Sequence, residues 1–315
     1  MPDFNRLIMF RVTMKNKTLT SVFLSSLFLT ACGGGGDNAN NGNSFQGKER
    51  LDYSKPENLE LIYAPIINLS SINENQLIDT ITLAESIFYL VQNEQSTSYK
   101  ASCQNKDGTI SRNNHSVTLN KCYLQIIEDN KAHLILEKPL LISGTISTRG
   151  YWFQNNFKID TTLNQFKVEV DNETTTYNGS KSSQAYDPSI YPFKYDISQM
   201  DFTWSDKKYT EVYKLTNYSF EPWSTGSITK GRLVGINNNK EFSVNFDNQI
   251  KFGSVDDALA FYPSFAEIFI EDTNNNKNSI NITRTTDYKA LMRAYANGTT
   301  VTGFPKVVAW EELNY

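Results

Sequence analysis

Few side chains in this sequence have the types and spacing that catalysis requires. Its two histidines are His115 and His133, and either could serve as a general base. No Gly-x-Ser-x-Gly motif is present, so a serine hydrolase would lack its nucleophile signature. Acid pairs occur at Glu311–Glu312 and Asp256–Asp257, but sequence neighbours point to opposite faces of a strand. We therefore predict surface histidines, solvated acids, no catalytic residue and no cofactor.

A calcium loop is suggested and then excluded by the segment that begins at Asp272. Its first five residues, Asp-Thr-Asn-Asn-Asn, start like an EF-hand loop. Lys277 stands where such a loop needs glycine, and Thr283 stands where it needs a bidentate acid. A structural zinc site would need four ligands, and neither histidine has the required spacing. We expect a hairpin turn here and no metal.

Aromatic residues are the remaining candidates for ligand binding. A groove for a sugar, peptide or lipid could be lined by Trp152 with its neighbours Tyr151 and Phe153, and by Trp204, Tyr218 and Trp223. In a β-rich protein most such rings instead belong to the core and to cross-strand pairs. Both interpretations stay open at this point, and the groove is the weaker one.

The N-terminal segment has a basic, apolar, small-residue and cysteine order. Lys15 and Lys17 precede the apolar run Leu19–Leu29. That run fits the ~7–15 residues of a signal peptide and is shorter than the ~20 needed to span a bilayer. Leu29-Thr30-Ala31-Cys32 follows, and it resembles the lipobox of bacterial lipoproteins. An ordinary secretory signal with a spare thiol at Cys32 is the alternative.

The lipobox resemblance implies how the protein is anchored. Residues 1–31 would be the signal peptide, with translation starting at Met14, and cleavage would fall before Cys32. Two or three acyl chains (palmitate or similar) on Cys32 would hold the protein firmly, whereas one chain binds reversibly. In that family an Asp after the cysteine often marks inner-membrane retention, so Gly33 favours the outer membrane. Residues 32–48, rich in Gly and Asn, are predicted to be a flexible tether with a reach of about 20–25 Å.

An exported domain sits in an oxidising compartment, which bears on the two other cysteines. With Cys32 lipidated, Cys103 and Cys122 remain, and we predict that they form a disulfide. The loop that they close is close to the ~15-residue case, for which a cross-link contributes about 3 kcal/mol.

Composition limits the function classes further. The chain has 315 residues with a net charge of −4, so it has no basic surface typical of nucleic-acid binding. Apolar residues make up 39%, enough to fill a core, and aromatic residues make up 13%. Abundant Thr, Ser and Asn favour strands joined by polar turns.

Periodicity predicts one helix followed by many strands. In the N-terminal segment 49–98, apolar residues recur at helical spacing and predict a helix over about 74–93. The short run Leu59–Tyr63 before it is read as a strand or a turn. From residue 99 to 315 the period changes to two, with turns every ~8–15 residues. Tyr288–Ala296 has helix propensity, but the following Asn297-Gly298 favours a hairpin, so we assign a strand.

This rhythm predicts a mainly β fold, an antiparallel meander that forms a sandwich or an open or half barrel with one packing helix. The layout resembles a loose group of Gly-tethered exported bacterial lipoproteins of unknown function. The resemblance is carried by six stretches: Cys103 with Gly108–Ile110, Val117–Cys122, Ile142–Ile146, Tyr262-Pro263 before Ala266–Ile270, Asn297-Gly298 and Trp310–Leu313. It implies a β-rich lipoprotein and no activity.

The predicted function is a non-catalytic lipoprotein of the outer membrane with a structural or partner-binding role. Its expected partners are the membrane, through Cys32, and an unidentified protein, glycan or lipid. The alternatives are a carrier that holds a lipid in an open barrel and, less favoured, a glycan-acting enzyme with converging carboxylates.

Overall fold

The computed structural model describes residues 48–71, 75–92, 99–128, 131–133, 140–185, 194–223, 226–237, 239–252 and 262–313. Cys32 and the predicted signal peptide lie outside these residues. The described chain forms two α-helices, α1 Pro56–Ser70 and α2 Gln76–Gln92, and a C-terminal 3-10 helix, Trp310–Leu313. It also forms strands β1 Glu49–Arg50, β2 Tyr99–Cys103, β3 Thr109–Arg112, β4 Val117–Glu128, β5 Lys131–His133, β6 Leu141–Phe153, β7 Asn156–Val170, β8 Glu173–Ala185, β9 Lys194–Ser205, β10 Thr210–Trp223, β11 Gly226–Asn237, β12 Lys240–Phe252, β13 Pro263–Asp272, β14 Ser279–Arg284, β15 Ala290–Ala296, β16 Thr299–Thr300 and β17 Lys306–Val308.

The two helices begin where local chemistry permits. α1 starts with Pro56, whose fixed φ and missing N–H suit the first helical turn. α2 is capped by Asn75, whose Oδ1 accepts a hydrogen bond of 3.1 Å from the backbone N of Ile78. The helix predicted over about 74–93 is therefore confirmed as α2. The strand or turn predicted for Leu59–Tyr63 is wrong, because that run lies inside α1.

The strands form one antiparallel meander. Each strand from β6 to β15 pairs with the next along the chain, and β4 pairs with β6 on one side and with β2 and β3 on the other. β17 pairs with β15 at the far edge. Among the described residues no pairing joins the β17 edge to the β2–β3 edge, so the sheet is open. The predicted mainly β meander is confirmed, in its open form.

A row of backbone irregularities crosses the sheet. Lys121, Gly144, Gln165, Gly179 and Asn217 all have positive φ, and each lies at or beside a shift of register on its strand. Such bulges bend a strand and increase its twist. At Gly144 a side chain would collide with the backbone carbonyl of Gln165 on the neighbouring strand. The row therefore curves the sheet towards one face, called the inner face below.

The inner face is filled by the two helices. α1 packs on β11 and β12, and α2 packs on β2, β4 and β6. Their inward side chains are almost completely buried: Leu59, Ile62, Ile66, Ile67, Ile81, Ala84 and Ile87 are each at most 1% exposed. Burying an aliphatic side chain of this size contributes about 1.5–3 kcal/mol, so this packing is the main source of stability of the fold.

Candidate functional site

Cys103 at the end of β2 and Cys122 in β4 are bonded to each other. Their sulfur atoms lie 2.00 Å apart and their Cα atoms 5.0 Å apart. Cys122 is fully buried and Cys103 packs against the core. The bond therefore joins two paired strands at one edge of the sheet, and it offers no free thiol for chemistry.

The four aromatic residues predicted for a groove lie in different places. Trp204 on β9 is level with Ile142 on β6, because the cross-strand partners between them are Thr175 on β8 and Val168 on β7. Trp152 is ten residues beyond Ile142 on that strand, about 33 Å at 3.3 Å per residue. The structure thus places Trp152 and Trp204 at opposite ends of the sheet.

Tyr218 and Trp223 do not join them into one surface. Tyr218 is 1% exposed and lies on the inner face, where its hydroxyl donates a 2.7 Å hydrogen bond to the carbonyl of Leu69. Trp223 ends β10 on the same end of the sheet as Trp152, but its side chain lies outside the described part. These four residues therefore do not lie along one shared groove.

Tyr218 belongs to a buried neutral cluster beneath the junction of α1 and α2. Ser70 is its centre: Ser70 Oγ accepts from Thr229 Oγ1 at 2.8 Å and from Asn248 Nδ2 at 2.7 Å. Asn75 Nδ2 donates to the carbonyl of Leu69 at 2.8 Å. We call these residues the junction cluster. Every bond stays within the protein, so the cluster fastens the helix junction to β10, β11 and β12.

A second buried cluster is ionic and lies beneath α2. Glu85 Oε1 accepts hydrogen bonds from Lys181 Nζ on β8 and from Thr161 Oγ1 on β7. The side chain of Lys181 is 1% exposed and that of Glu85 is 12% exposed. Lys181 Nζ also lies 5.1 Å from the ring centroid of Tyr195, within cation–π range. We call Glu85, Lys181 and Thr161 the ionic cluster.

A third polar group lies beside Trp204, at the end of the sheet opposite Trp152. Glu211 on β10 accepts a 2.8 Å hydrogen bond from the Tyr213 hydroxyl and another from Asn237 Nδ2. Burial raises the pKa of Glu211 above its ordinary value, although these two hydrogen bonds oppose the shift. Burial also raises the pKa of Tyr213, and the Glu211 carboxylate adds to that effect. Both oxygens of Glu211 are thus occupied by internal donors.

The other titratable candidates have structural positions. His115 lies in an exposed turn in which Asn113 Oδ1 accepts from its backbone N at 2.8 Å. His133 is in β5, and its side chain lies outside the described part, as do Asp256 and Asp257. Glu312 lies in the C-terminal 3-10 helix, where its Oε1 accepts from the backbone N of Ala309 at 3.0 Å. Of the described side chains among these candidates, His115 lies in the β3–β4 turn and Glu312 in the C-terminal 3-10 helix.

Asp272 lies at the turn between β13 and β14, as predicted. Its Oδ1 accepts from the backbone N of Asn274 at 2.9 Å, and its Oδ2 accepts from Asn278 Nδ2 at 3.0 Å. The carboxylate therefore closes the turn. Within the described ranges, no three His, Cys, Asp or Glu side chains come together as a metal site requires.

The chain joins the domain beside an open depression of about 490 Å³. β1 pairs in parallel with the first residues of β12, and Lys48 Nζ donates to Asn239 Oδ1 at 3.0 Å. Lys48, Lys208 and Tyr209 line the depression, with Val212 and Ile236 also in its wall. This end of the sheet therefore offers cationic and aromatic groups next to the predicted tether.

The opposite end carries the hairpin of residues 149–158, which we call the finger, and its β7 arm stays paired with β8 as far as Phe157 and Ala185. Trp152 is 61% exposed and Phe153 is 50% exposed, although they point to opposite faces of β6. Beyond Ile146, β6 has a paired neighbour among the described residues only in β7. The ring of Phe157 supports Trp152 edge-on, with centroids 5.5 Å apart. The finger thus displays two large rings to solvent.

Two further observations complete this description. Neither described helix is long and apolar enough to cross a membrane. Comparisons of the chain with protein-family models, curated proteins and solved structures find no match.

Proposed function

We propose that this protein is a lipid-anchored, non-catalytic lipoprotein of the bacterial outer membrane that presents a folded domain to a partner. The anchor is the thiol of Cys32, and the domain begins at Lys48. One observation carries the non-catalytic part: the inner face of the open sheet is occupied by the protein's own helices. The inward side chains of α1 and α2 take the space in which an open half barrel would hold a ligand or substrate.

This packing argues against the carrier function. A carrier needs an apolar chamber of about 300–1,000 Å³ that encloses most of its ligand. The depression near Lys48 reaches that size, but it is open and lies where the chain joins the domain. The side chains at the centre of the inner face, among them Ile62, Ile66 and Ile81, are fully buried against their neighbours.

The polar groups also support a structural role. Within the part of the chain that the structure describes, three acidic groups on the inner face engage donors of the protein itself: Glu85 with Lys181, Glu211 with Asn237, and Asp272 with Asn278. A glycan-acting enzyme would instead direct two carboxylates, about 5–10 Å apart, at a substrate.

The position of the predicted anchor is supported by where the chain joins the sheet. Lys48 and Lys208 flank the depression at that end, and Tyr209 is 51% exposed beside them. Lysines attract anionic lipid head groups, and tyrosine suits the membrane–water interface. An anchor 16 residues before Lys48 would hold this end of the domain near the bilayer.

The test is Cys32→Ser in the full chain, compared with Ser44→Ala in the predicted tether as the matched control. We expect the wild type and Ser44→Ala to be processed, to fractionate with the outer membrane and to carry acyl chains in intact-mass measurement. Cys32→Ser should accumulate unprocessed and unacylated. A Cys32→Ser protein with unchanged processing and membrane attachment would refute the anchor.

The non-catalytic part has its own test. Native mass spectrometry of the wild type should show the protein mass with its acyl chains and no further bound lipid. A stoichiometric second lipid would support the carrier instead. Hydrolase turnover that Glu211→Gln abolishes, in a variant that stays folded, would show that the protein is an enzyme.

A further inference from the structure

The tip of the finger has the chemistry of a membrane–water interface. Trp152 and Phe153 are adjacent at the end of β6, and both are at least half exposed, on opposite faces of the hairpin. An isolated exposed ring is common, but two neighbouring exposed rings at the tip of one hairpin expose apolar area that the fold does not need. Tryptophan is enriched where apolar and wet environments meet, because its ring is apolar and its indole N–H is polar.

Basic groups lie just behind the tip. Lys158 Nζ is 4.6 Å from the ring centroid of Phe153, and the Arg149 guanidinium is 5.3 Å from that of Tyr151. Asp160, just beyond the finger on β7, accepts a 2.8 Å hydrogen bond from the Tyr151 hydroxyl. Apolar rings at a tip with cations behind them match a bilayer, in which anionic phosphates border the apolar layer.

The finger points away from the end at which the chain joins the sheet. β1 lies beside Lys240 at the start of β12, whereas the finger is level with the end of that strand, near Phe252. The strands between them are 12–15 residues long, which corresponds to about 40–50 Å. If Cys32 is anchored as proposed above, the finger faces away from the bilayer that holds the anchor.

We propose that the finger inserts Trp152 and Phe153 into the interface of a second phospholipid bilayer, opposite the one that carries the anchor. The two rings enter the region between head groups and acyl chains, and Arg149 and Lys158 bind the phosphates. The protein then links two membrane surfaces through one domain. This inference depends on the proposed anchor for the choice of bilayer, and on the finger alone for bilayer binding.

The experiment uses the full chain in vesicles and reads tryptophan fluorescence. The purified protein is reconstituted into vesicles of phosphatidylcholine and phosphatidylglycerol. Brominated phosphatidylcholine, which quenches tryptophan at short range, is placed either in these carrier vesicles or in added protein-free vesicles. The chain has 4 tryptophans, so Trp152→Phe isolates the contribution of Trp152, and Trp204→Phe is the matched control.

We expect added brominated vesicles to quench the wild type and Trp204→Phe, and quenching in Trp152→Phe to fall to the level that the three remaining tryptophans contribute, Trp223 at the same end of the sheet among them. The double variant Trp152→Ser/Phe153→Ser should bind added vesicles about tenfold more weakly or worse, because binding scales with buried apolar area. Binding should also weaken with salt, and more so for vesicles with phosphatidylglycerol.

Three results would overturn the inference. Quenching only by lipids of the carrier vesicles would place the finger in the anchor's own bilayer. No quenching of Trp152 in either arrangement would mean that the finger does not contact lipid and would favour a protein partner. Equal quenching in wild type and Trp152→Phe would place the lipid contact elsewhere. If the protein does not stay on the carrier vesicles but added vesicles still quench Trp152, the proposed anchor is refuted and the proposed bilayer binding of the finger stands.

Discussion

The junction cluster and the ionic cluster attach helices to the same sheet by different chemistry, the first at the junction of α1 and α2 and the second along α2 alone. At the junction cluster, uncharged side chains on β10, β11 and β12 bond to Ser70 and to the carbonyl of Leu69. At the ionic cluster, Lys181 and Thr161 converge on the carboxylate of Glu85. The first distributes the attachment over many neutral bonds, and the second concentrates it in one charge pair.

The difference determines how each cluster should respond to substitution. A neutral hydrogen bond contributes about 0.5–1.5 kcal/mol net, and its loss is limited to the groups left unpaired. A buried ion pair contributes little net stability, but removing one partner leaves an uncompensated charge, at a cost of about 3–5 kcal/mol. The ionic cluster should therefore be the more fragile of the two.

The largest effect is expected from Glu85→Gln. The ammonium of Lys181, at 1% exposure, would lose its counter-charge in a site that water does not reach. We expect the free energy of unfolding to fall by about 3–5 kcal/mol in urea titrations. Lys181→Met should cost less, because Glu85 is 12% exposed and keeps Thr161 as a donor.

The double variant Glu85→Gln/Lys181→Met is the control for this prediction. It removes both charges and keeps similar volumes, so it should be more stable than Glu85→Gln alone. Additive losses in the two single variants would mean that the pair is not coupled, and the contrast with the junction cluster would then be lost.

An intermediate effect is expected from Ser70→Ala. The substitution leaves Thr229 Oγ1 and Asn248 Nδ2 without the acceptor that they now share. We expect a loss of about 1–3 kcal/mol in the same urea titration. Ser264→Ala is the matched control: Ser264 is exposed and its hydroxyl donates to the carbonyl of Lys251, so its loss should stay within about 0.5 kcal/mol. A cost for Ser70→Ala above that of Glu85→Gln would reverse the ranking of the two clusters.

The smallest effect is expected at Glu211, which belongs to neither cluster. Its carboxylate faces inward with neutral hydrogen-bond donors, whereas that of Glu85 is paired with a cation. The folded pKa of Glu211 is raised above the ordinary value of 4.5, so the folded state binds its proton more tightly than the unfolded state does. This contribution to stability is complete below the unfolded pKa and is lost as the pH rises through the folded pKa. Stability profiles of the wild type and Glu211→Gln should therefore diverge in that window, with the wild type losing more on the alkaline side. Parallel profiles would show that the carboxyl titrates normally.

Much of the fold was predictable because the local signals agree. Apolar residues at helical spacing predicted α2, and alternating apolar and polar residues between turns predicted the antiparallel meander. Ala290–Ala296 forms a strand despite its helix propensity, because Asn297 and Gly298 adopt the positive φ of a hairpin turn. The pairing of Cys103 with Cys122 followed from the expected compartment and is what the structure contains.

α1 was missed because its signals conflict. Pro65 lies inside the helix and argues against one, and Leu59–Tyr63 taken alone is short enough for a strand. A longer window contains the answer: Leu59, Ile62, Ile66 and Leu69 recur at three and four, and Pro56 precedes them at a favourable start.

The polar clusters and the finger could not be predicted, because they depend on tertiary placement. Lys181 stands in a polar strand between two serines, where a lysine normally faces solvent. The inward orientation of Lys181 is stable only because Glu85 on α2 lies next to it and supplies the counter-charge. The exposure of Trp152 likewise depends on β6 continuing past the last residue at which it pairs with β4.

The row of positive-φ residues has a consequence for how this surface can vary. Because curvature is encoded in backbone conformations at positions such as Gly144 and Gly179, the outward side chains are not needed to bend the sheet. Relatives of this protein could exchange the whole solvent-facing pattern and keep the shape, provided that the small residues at the folds of the sheet stay small. The shape would then be inherited through a few inconspicuous positions, while recognition of partners changes freely around them.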